Sequence, residues 1–382
     1  MVPLLRRGNE TLAAVSRAPL FCYPRRTMTV PMPITGACAW RGDEMAGSTH
    51  WVRRLDAAAV GEIDEALGAA RSAGVPWHET TQHRFPLPGL AATLAEVARE
   101  LEDGGGLVTL RGLPVERYTP DELRQIWFGL GSHLGRPVFQ NRHGELMREI
   151  RDEGQTVGER YGQIPSGSGG PGPVLSSYAR TLSNGPLRFH TDRCDVVGLL
   201  CARQARAGGI SKLASSVAVH NEMIRRRPDL AALLYQDVHR SRFGEEASQP
   251  DVVYPLPIFG VRDGKFTSHY SLTFIEVAQM VPGVPPLTAA QREAIELLMM
   301  LADELSFAMR FEPGDMQLVN NHVIYHARTA FEDDAGSSHV RLLYRLWLSM
   351  PNSRALPPGH EVLWGSIEPG ALRGGIGQVP AV

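Results

Sequence analysis

Apolar and polar positions alternate with two different periods along this chain, and the period changes where the elements change. Residues 55–74 (LDAAAVGEIDEALGAARSAG) repeat their apolar positions every three to four residues. This predicts an amphipathic helix with Asp56 as N-cap and Gly74 as its stop. The run PLPGLAATLAEVARELEDGGG predicts a second helix, ended by the glycines at 104–106. LVTLRGL (107–113) is short, apolar and bounded by turn residues, hence a strand. Thr119 followed by Pro120, with Glu122 three residues after the cap, starts a third helix as a capping box. PSGSGGPGP (165–173) cannot bury a core; it predicts a surface loop and a candidate lid. Strand-like pieces follow: LRFHTD, VVGLLCARQA and GGISKLAS, then VVYPLPIFGV and KFTSHYSL, then MQLVNNHVIYHA and HVRLLYRLWLS. Helices at Ser216 to Arg226 and at 288–305 interrupt them. Short strands with Gly and Pro turns, wrapped by helices, predict a β-sandwich or barrel decorated with helices. No internal repeat is visible.

Composition narrows the class. At 382 residues the chain is long enough for one large domain or two. The division expected is an N-terminal extension over 1–45, a main domain over 46–350 and a C-terminal tail over 351–382, with Met28 or Met45 as alternative starts. Thirty-nine basic against 41 acidic residues exclude a polyelectrolyte and argue against a nucleic-acid partner. No apolar run reaches the roughly 18 residues of a membrane span. Arg6 and Arg7 interrupt the early apolar patch, so no secretory leader is expected and the location expected is cytoplasmic. Cys22, Cys38, Cys194 and Cys201 make no disulfide framework and contain no Cys-x-x-Cys pair for zinc. Cys194 and Cys201 read as small core residues.

Four features carry chemistry. His190-Thr191-Asp192 is the only His-x-Asp triplet. On a strand, residues two apart share a face, so an imidazole and a carboxylate can reach one metal ion. His220-Asn221-Glu222 has similar spacing but lies in a helical stretch, where such residues diverge; it reads as a solvated helix face. His143-Gly144-Glu145 sits in a polar turn. Farther on, His322 and His326 are four apart, but Val323 stands where a zinc hydrolase would need Glu, so that reading is set aside. Asn320-Asn321 suggests a turn that leaves His326 on the strand proper; taken alone, His326 reads as a core histidine. In the run Arg341 to Leu348, Arg341, Leu343, Arg345 and Trp347 share one face, and Leu342, Tyr344, Leu346 and Leu348 the other. If both faces are buried, two arginines lie inside without a nearby acid and call for an anion, such as a dicarboxylate. Gly208-Gly209-Ile210-Ser211 supplies a hydroxyl after a turn.

The ordered set His-Thr-Asp, Gly-Gly-x-Ser, Pro-Gly-Asp…Asn…His-x-Arg-Thr and Arg-x-x-x-Arg resembles the taurine dioxygenase (TauD/TfdA-like) family of Fe(II)/2-oxoglutarate-dependent oxygenases, over roughly residues 50–350. FPLPGL, LEDGGGLVTLRGLPV and GLGSHLGRPVFQN are also similar to it. The resemblance implies a double-stranded β-helix (jelly roll), mainly β with surrounding helices. It implies His190, Asp192 and His326 as ligands of Fe(II), with Asn321 as the Asn of the distal element. It implies Arg341 as partner of the far carboxylate of the cosubstrate 2-oxoglutarate, Ser211 as a hydroxyl donor to it, and Arg345 as a contact to substrate or cosubstrate. Gln140, Asn141 and Tyr178 match positions near the substrate side. Ser211 replaces a Thr, and the stretch from His326 to Arg341 is long, which leaves open whether Arg341 or Arg345 is the main anchor. The activity implied is O2-dependent oxidation, chiefly hydroxylation, of a small molecule, with release of succinate and CO2; Arg345 hints at an anionic one. Family members are often dimers or tetramers, so a homo-oligomer is open. The alternative is a non-catalytic jelly-roll binding protein, but every ligand position is filled.

Overall fold

The computed structural model describes residues 32–164, 174–243, 245, 252–334, 336 and 339–377. The 165–173 run read as a candidate lid lies outside the described residues, as do the first 31 positions.

The strands that matter for the site are, in chain order, β1 (Val52–Arg54), β2 (Leu107–Arg111), β3 (Arg136–Pro137), β4 (Met147–Ile150), β5 (Leu187–His190), β6 (Val196–Arg203), β7 (Ser211–Ser215), β8 (Phe307–Met309), β9 (Met316–Asn320), β10 (Ile324–Arg328) and β11 (Leu342–Ser349). Seven of them form a large sheet in the order β1-β2-β9-β6-β11-β3, with β4 also paired to β11. The other four form a smaller sheet, β8-β7-β10-β5. Apart from the parallel β1–β2 pair, neighbours in both sheets run antiparallel. The segment read as MQLVNNHVIYHA is thus two strands: β9 belongs to the large sheet, β10 to the small one. The turn at 321–323 carries the chain between them. Helix exceeds strand by residue count, so the chain is mixed rather than mainly β, but the strands carry the site.

The helices follow the sequence closely. Helix α1 (Ala57–Ser72) is capped by the Asp56 carboxylate, which accepts from the Ala59 N–H at 2.8 Å. Helix α2 (Ala91–Asp103) stops at Gly104. Helix α3 (Pro120–Leu134) starts with the Thr119–Glu122 capping box, worth about 1 kcal/mol. Helices α4 (Ser216–Arg226) and α5 (Ala289–Glu304) pack against each other and against the small sheet. The outer face of the large sheet buries Leu342, Tyr344, Leu346 and Leu348 with Val196, Leu200, Met316 and Leu318 against Trp127, Ile126 and Leu94 of α1–α3's layer. Each large apolar side chain so buried contributes about 1.5–3 kcal/mol. Gly198 in β6 makes this fit possible: a Cβ there would lie 2.6 Å from the Trp127 ring.

One expectation is overturned on α4. His220 is fully buried, not solvated. Its ring packs against Phe259, Phe266 and Tyr235, and its Nε2 pairs with the Tyr235 hydroxyl at 2.7 Å. The apolar side of an amphipathic helix had room for a neutral imidazole with a partner. Contacts also cross both ends of the 46–350 stretch. Ile34 exchanges two hydrogen bonds with Asn221, and the indole of Trp40 donates to the Gly105 carbonyl at 2.8 Å. Beyond residue 350, Leu356, Leu363 and Trp364 form a small apolar cluster with Tyr254 and Leu256.

Candidate metal centre

The two imidazoles meet because of strand register. His326 on β10 is the direct cross-strand partner of His190 on β5, and their ring centroids are 4.3 Å apart. Directly opposed residues in an antiparallel pair project to the same face. Asp192 follows two residues after His190, past the strand end. Its backbone N–H donates to Asn321 Oδ1 at 2.9 Å, and the Asn321 amide donates to the Cys194 carbonyl at 3.0 Å. The turn before His326 therefore holds the loop that carries Asp192.

One nitrogen from each of His190 and His326 and one Asp192 oxygen lie within 4.8 Å of one another. His190 Nε2 is 3.9 Å from Asp192 Oδ1, and His326 Nε2 is 3.8 Å from Asp192 Oδ2. His190 Nδ1 faces the Arg188 carbonyl at 2.8 Å. A carbonyl only accepts, so the proton is on Nδ1 and Nε2 keeps its lone pair. Burial pushes the His326 imidazole down to about 3, with His190 beside it adding to the effect, and burial also lowers His190. Both rings are neutral, as metal ligands must be. Burial pushes the Asp192 carboxyl up, but Arg345, the two imidazoles and the Trp347 indole outweigh it and hold it below the ordinary carboxylate value. Trp347 Nε1 donates to Asp192 Oδ2 at 3.0 Å, and Arg345 Nη1 is 3.6 Å from the same oxygen. Two imidazoles and one carboxylate are the donor set of a mononuclear non-heme iron site.

A cavity of about 610 Å³, its open mouth included, adjoins these groups. Its walls come from both sheets: Val197, Leu199, Gln317 and Leu343 from the large one, Leu187 and Ser211 from the small one. It therefore lies between them. Arg341, Arg345 and Arg328 line it as well, and among the described lining residues Asp192 is the one carboxylate. Arg341 is 3% exposed, and its Nε and Nη1 have no hydrogen-bond partner among the described residues. Burial pushes its pKa down from 12.5 to about 10. Such a buried guanidinium beside a cavity is suited to pair with a carboxylate. Arg345 differs: its Nε donates to Gln140 Oε1 at 2.7 Å, and its guanidinium stacks over Trp347. Ser211 Oγ faces Gln317 Oε1 at 3.4 Å.

The remaining candidates stand elsewhere. Gln140 holds Arg345 by two bonds, the second from its Nε2 to the Arg345 carbonyl at 2.8 Å, and does not line the cavity. Asn141 and Tyr178 bond each other and Glu145 in a polar cluster outside the cavity lining. Glu145 is salt-bridged to Arg148. His322 is a core histidine between Thr267 and Asp195, not a partner of His326. Sequence reasoning gave no role to Arg328 or Trp347, although it placed Trp347 on the face of Arg341 and Arg345. Both were readable: each lies two residues after a candidate, on the same strand face. Arg328 donates to the carbonyls of Ser183 and Gly185, and burial brings its pKa to about 9.

Fold and donor set together define an oxygenase of the iron and 2-oxoglutarate class. Residues 72–347 match the model of the taurine catabolism dioxygenase TauD, TfdA family, and the chain belongs to that family. It is 31% identical over 333 residues to an FR-33289 synthase of Streptomyces rubellomurinus, covering 85% of this chain and 93% of that one. It is 32% identical over 330 residues to a taurine hydroxylase-like protein of Stachybotrys chartarum, covering 84% and 81%. Among solved structures, an asparagine oxygenase is similar in fold, with a TM-score of 0.59 at 18% identity over 87% of this chain and all of that one. The protein is an Fe(II)/2-oxoglutarate-dependent dioxygenase with O2 as its second cosubstrate.

Proposed function

We propose that His190, Asp192 and His326 hold the iron, that Arg341 with Ser211 receives the far carboxylate of 2-oxoglutarate, and that Arg345 meets an anionic group of a small substrate. The observation that carries this reading is the convergence of two neutral imidazoles and one carboxylate at the wall of a cavity that also holds a buried guanidinium whose Nε and Nη1 have no hydrogen-bond partner among the described residues. The two facing sheets are read as the double-stranded β-helix of the family. Iron with 2-oxoglutarate and O2 supplies the oxidising power to hydroxylate a substrate C–H bond, with release of succinate and CO2.

The chain's own residues do geometric and electrostatic work. Arg188 orients one imidazole through its carbonyl; Asn321 and Trp347 orient the carboxylate. Arg341 gives the cosubstrate anion a dry, charged seat, where a guanidinium–carboxylate pair is far stronger than in water. Gln140 fixes the Arg345 guanidinium, so the substrate anion meets a preset fork. The relative named for taurine, a small sulfonate, is consistent with an anionic substrate. The test is anaerobic addition of Fe(II) and 2-oxoglutarate. A weak visible charge-transfer band is expected, absent in His190→Ala and Asp192→Ala. A folded wild-type protein with no band overturns the assignment.

A further inference from the structure

The family match ends at residue 347, yet the loop that bears Asp192 is gripped from beyond it. Asp195, three residues after Asp192, is a buried carboxylate with three donors: His322 Nε2 at 2.9 Å, Arg373 Nε at 2.8 Å and the Met350 N–H at 2.9 Å. Two residues beyond Arg373, the Gly375 N–H donates to the Arg193 carbonyl at 2.7 Å, inside the same loop. The Ile376 N–H donates to the Phe139 carbonyl at 2.8 Å, next to the Gln140 that holds Arg345. Gly374 has φ +72°, and a Cβ on it would lie 2.9 Å from the Arg193 oxygen, so this close approach requires glycine. Asp195 also reaches the other half of the centre. Its carbonyl accepts from the Asn321 N–H, and its carboxylate holds His322, in the turn from which the His326 strand departs.

We infer that Arg373 is a positioning residue for the iron centre, and that the strap Arg373–Ile376 sets where Asp192 stands relative to the two imidazoles. This rests on the ligand assignment above. Ligand geometry must be held to about 0.5 Å, and with only Arg193 and Cys194 between ligand and anchor, the loop transmits its anchor's position almost directly. Without the Arg373 guanidinium, the Asp195 carboxylate is left buried with one cation fewer. The 192–195 loop and the 321–323 turn then lose their common fixed point.

The test uses cobalt(II) alone, without 2-oxoglutarate, read by its visible d–d spectrum during titration of the full chain. Wild type binds, and His326→Ala does not; if that contrast fails, the ligand assignment falls and this inference with it. Arg373→Met is expected to weaken cobalt binding about 10–100-fold and to alter the d–d band, with Arg373→Lys in between. Leu298→Ala, a fully buried cavity variant on α5, is the control: it lowers the melting temperature but keeps wild-type affinity and spectrum. Wild-type affinity and spectrum in Arg373→Met overturn the inference. If Arg373→Met does not fold, Arg373→Lys decides: a several-fold loss supports the inference and unchanged affinity overturns it.

Discussion

Arg341 gives the sharpest prediction, because stability and binding should move in opposite directions. Replacing it by Met keeps an unbranched apolar stem and removes the charged guanidinium head. The native environment lowers the pKa from 12.5 to about 10, chiefly by burial. At 1.36 kcal/mol per unit, the charged form is disfavoured by about 3 kcal/mol. Arg341→Met forfeits the stacking of the guanidinium on Phe331, 5.1 Å away, worth about 1 kcal/mol. The ligand-free variant should thus be more stable than wild type by about 2 kcal/mol. With an unfolding entropy of about 2.1 cal/mol/K per residue over roughly 300 residues, that is about 3 °C in Tm. Adding Mn(II) and 2-oxoglutarate at about 100 times its Kd should raise wild type by about 2.7 kcal/mol and the variant by no more than Mn(II) alone does. The order of melting temperatures therefore inverts on adding cosubstrate. Differential scanning fluorimetry with and without 2-oxoglutarate reads both halves. An apo variant less stable than wild type by more than 1 kcal/mol refutes the burial argument, and an undiminished 2-oxoglutarate shift refutes the anchor.

His220, buried and held to about 4 against 6.5 unfolded, should make the metal-free protein acid-sensitive. The unfolded state binds the proton first, so stability falls as pH drops below 6.5; between pH 7 and 5 this group alone costs about 2 kcal/mol, and urea titrations of His220→Phe should show that much less loss. Gly61→Ala, mid-α1 with nothing within 4 Å of the added Cβ, should stabilise by about 0.5–1 kcal/mol. By contrast, Gly208→Ala, at φ +71° and with the Ala330 oxygen 2.0 Å from the Cβ, should cost about 2 kcal/mol or more in the same melting assay. Gln140→Leu should raise KM for an anionic substrate about 10-fold in a succinate-release assay, since Arg345 loses a charge-assisted bond. Its 2-oxoglutarate affinity should stay within about two-fold; an equal loss of both would tie Arg345 to the cosubstrate instead.

The helices and most strands were legible because their periods are local. The capping residues Asp56 and Thr119 sit at the helix starts, where side-chain chemistry alone marks them. The two faces of β11 were readable from alternation. The pairing of His190 with His326 was not, because register between strands over 130 residues apart leaves no trace in one sequence. Its place had to be taken from a resemblance. Arg373 and Gly375 carry no periodic signal at all; their roles come from partners at Asp195 and Arg193, across the fold. His220 was misread because spacing tells whether two residues chelate together, not whether a helix face is wet.

The two histidines and the aspartate are anchored by different means. His190 and His326 are paired by one antiparallel ladder, so slipping one strand a single step would turn its ring to the other face and separate it from its partner; the imidazole pair stands or falls with that register. Asp192 stands beyond the ladder on a separately braced corner. On the proposed assignment, a change of side chain at 192 would leave the imidazole pair standing and remove only the carboxylate. The architecture thus separates the support of the proposed carboxylate ligand from that of the two imidazoles.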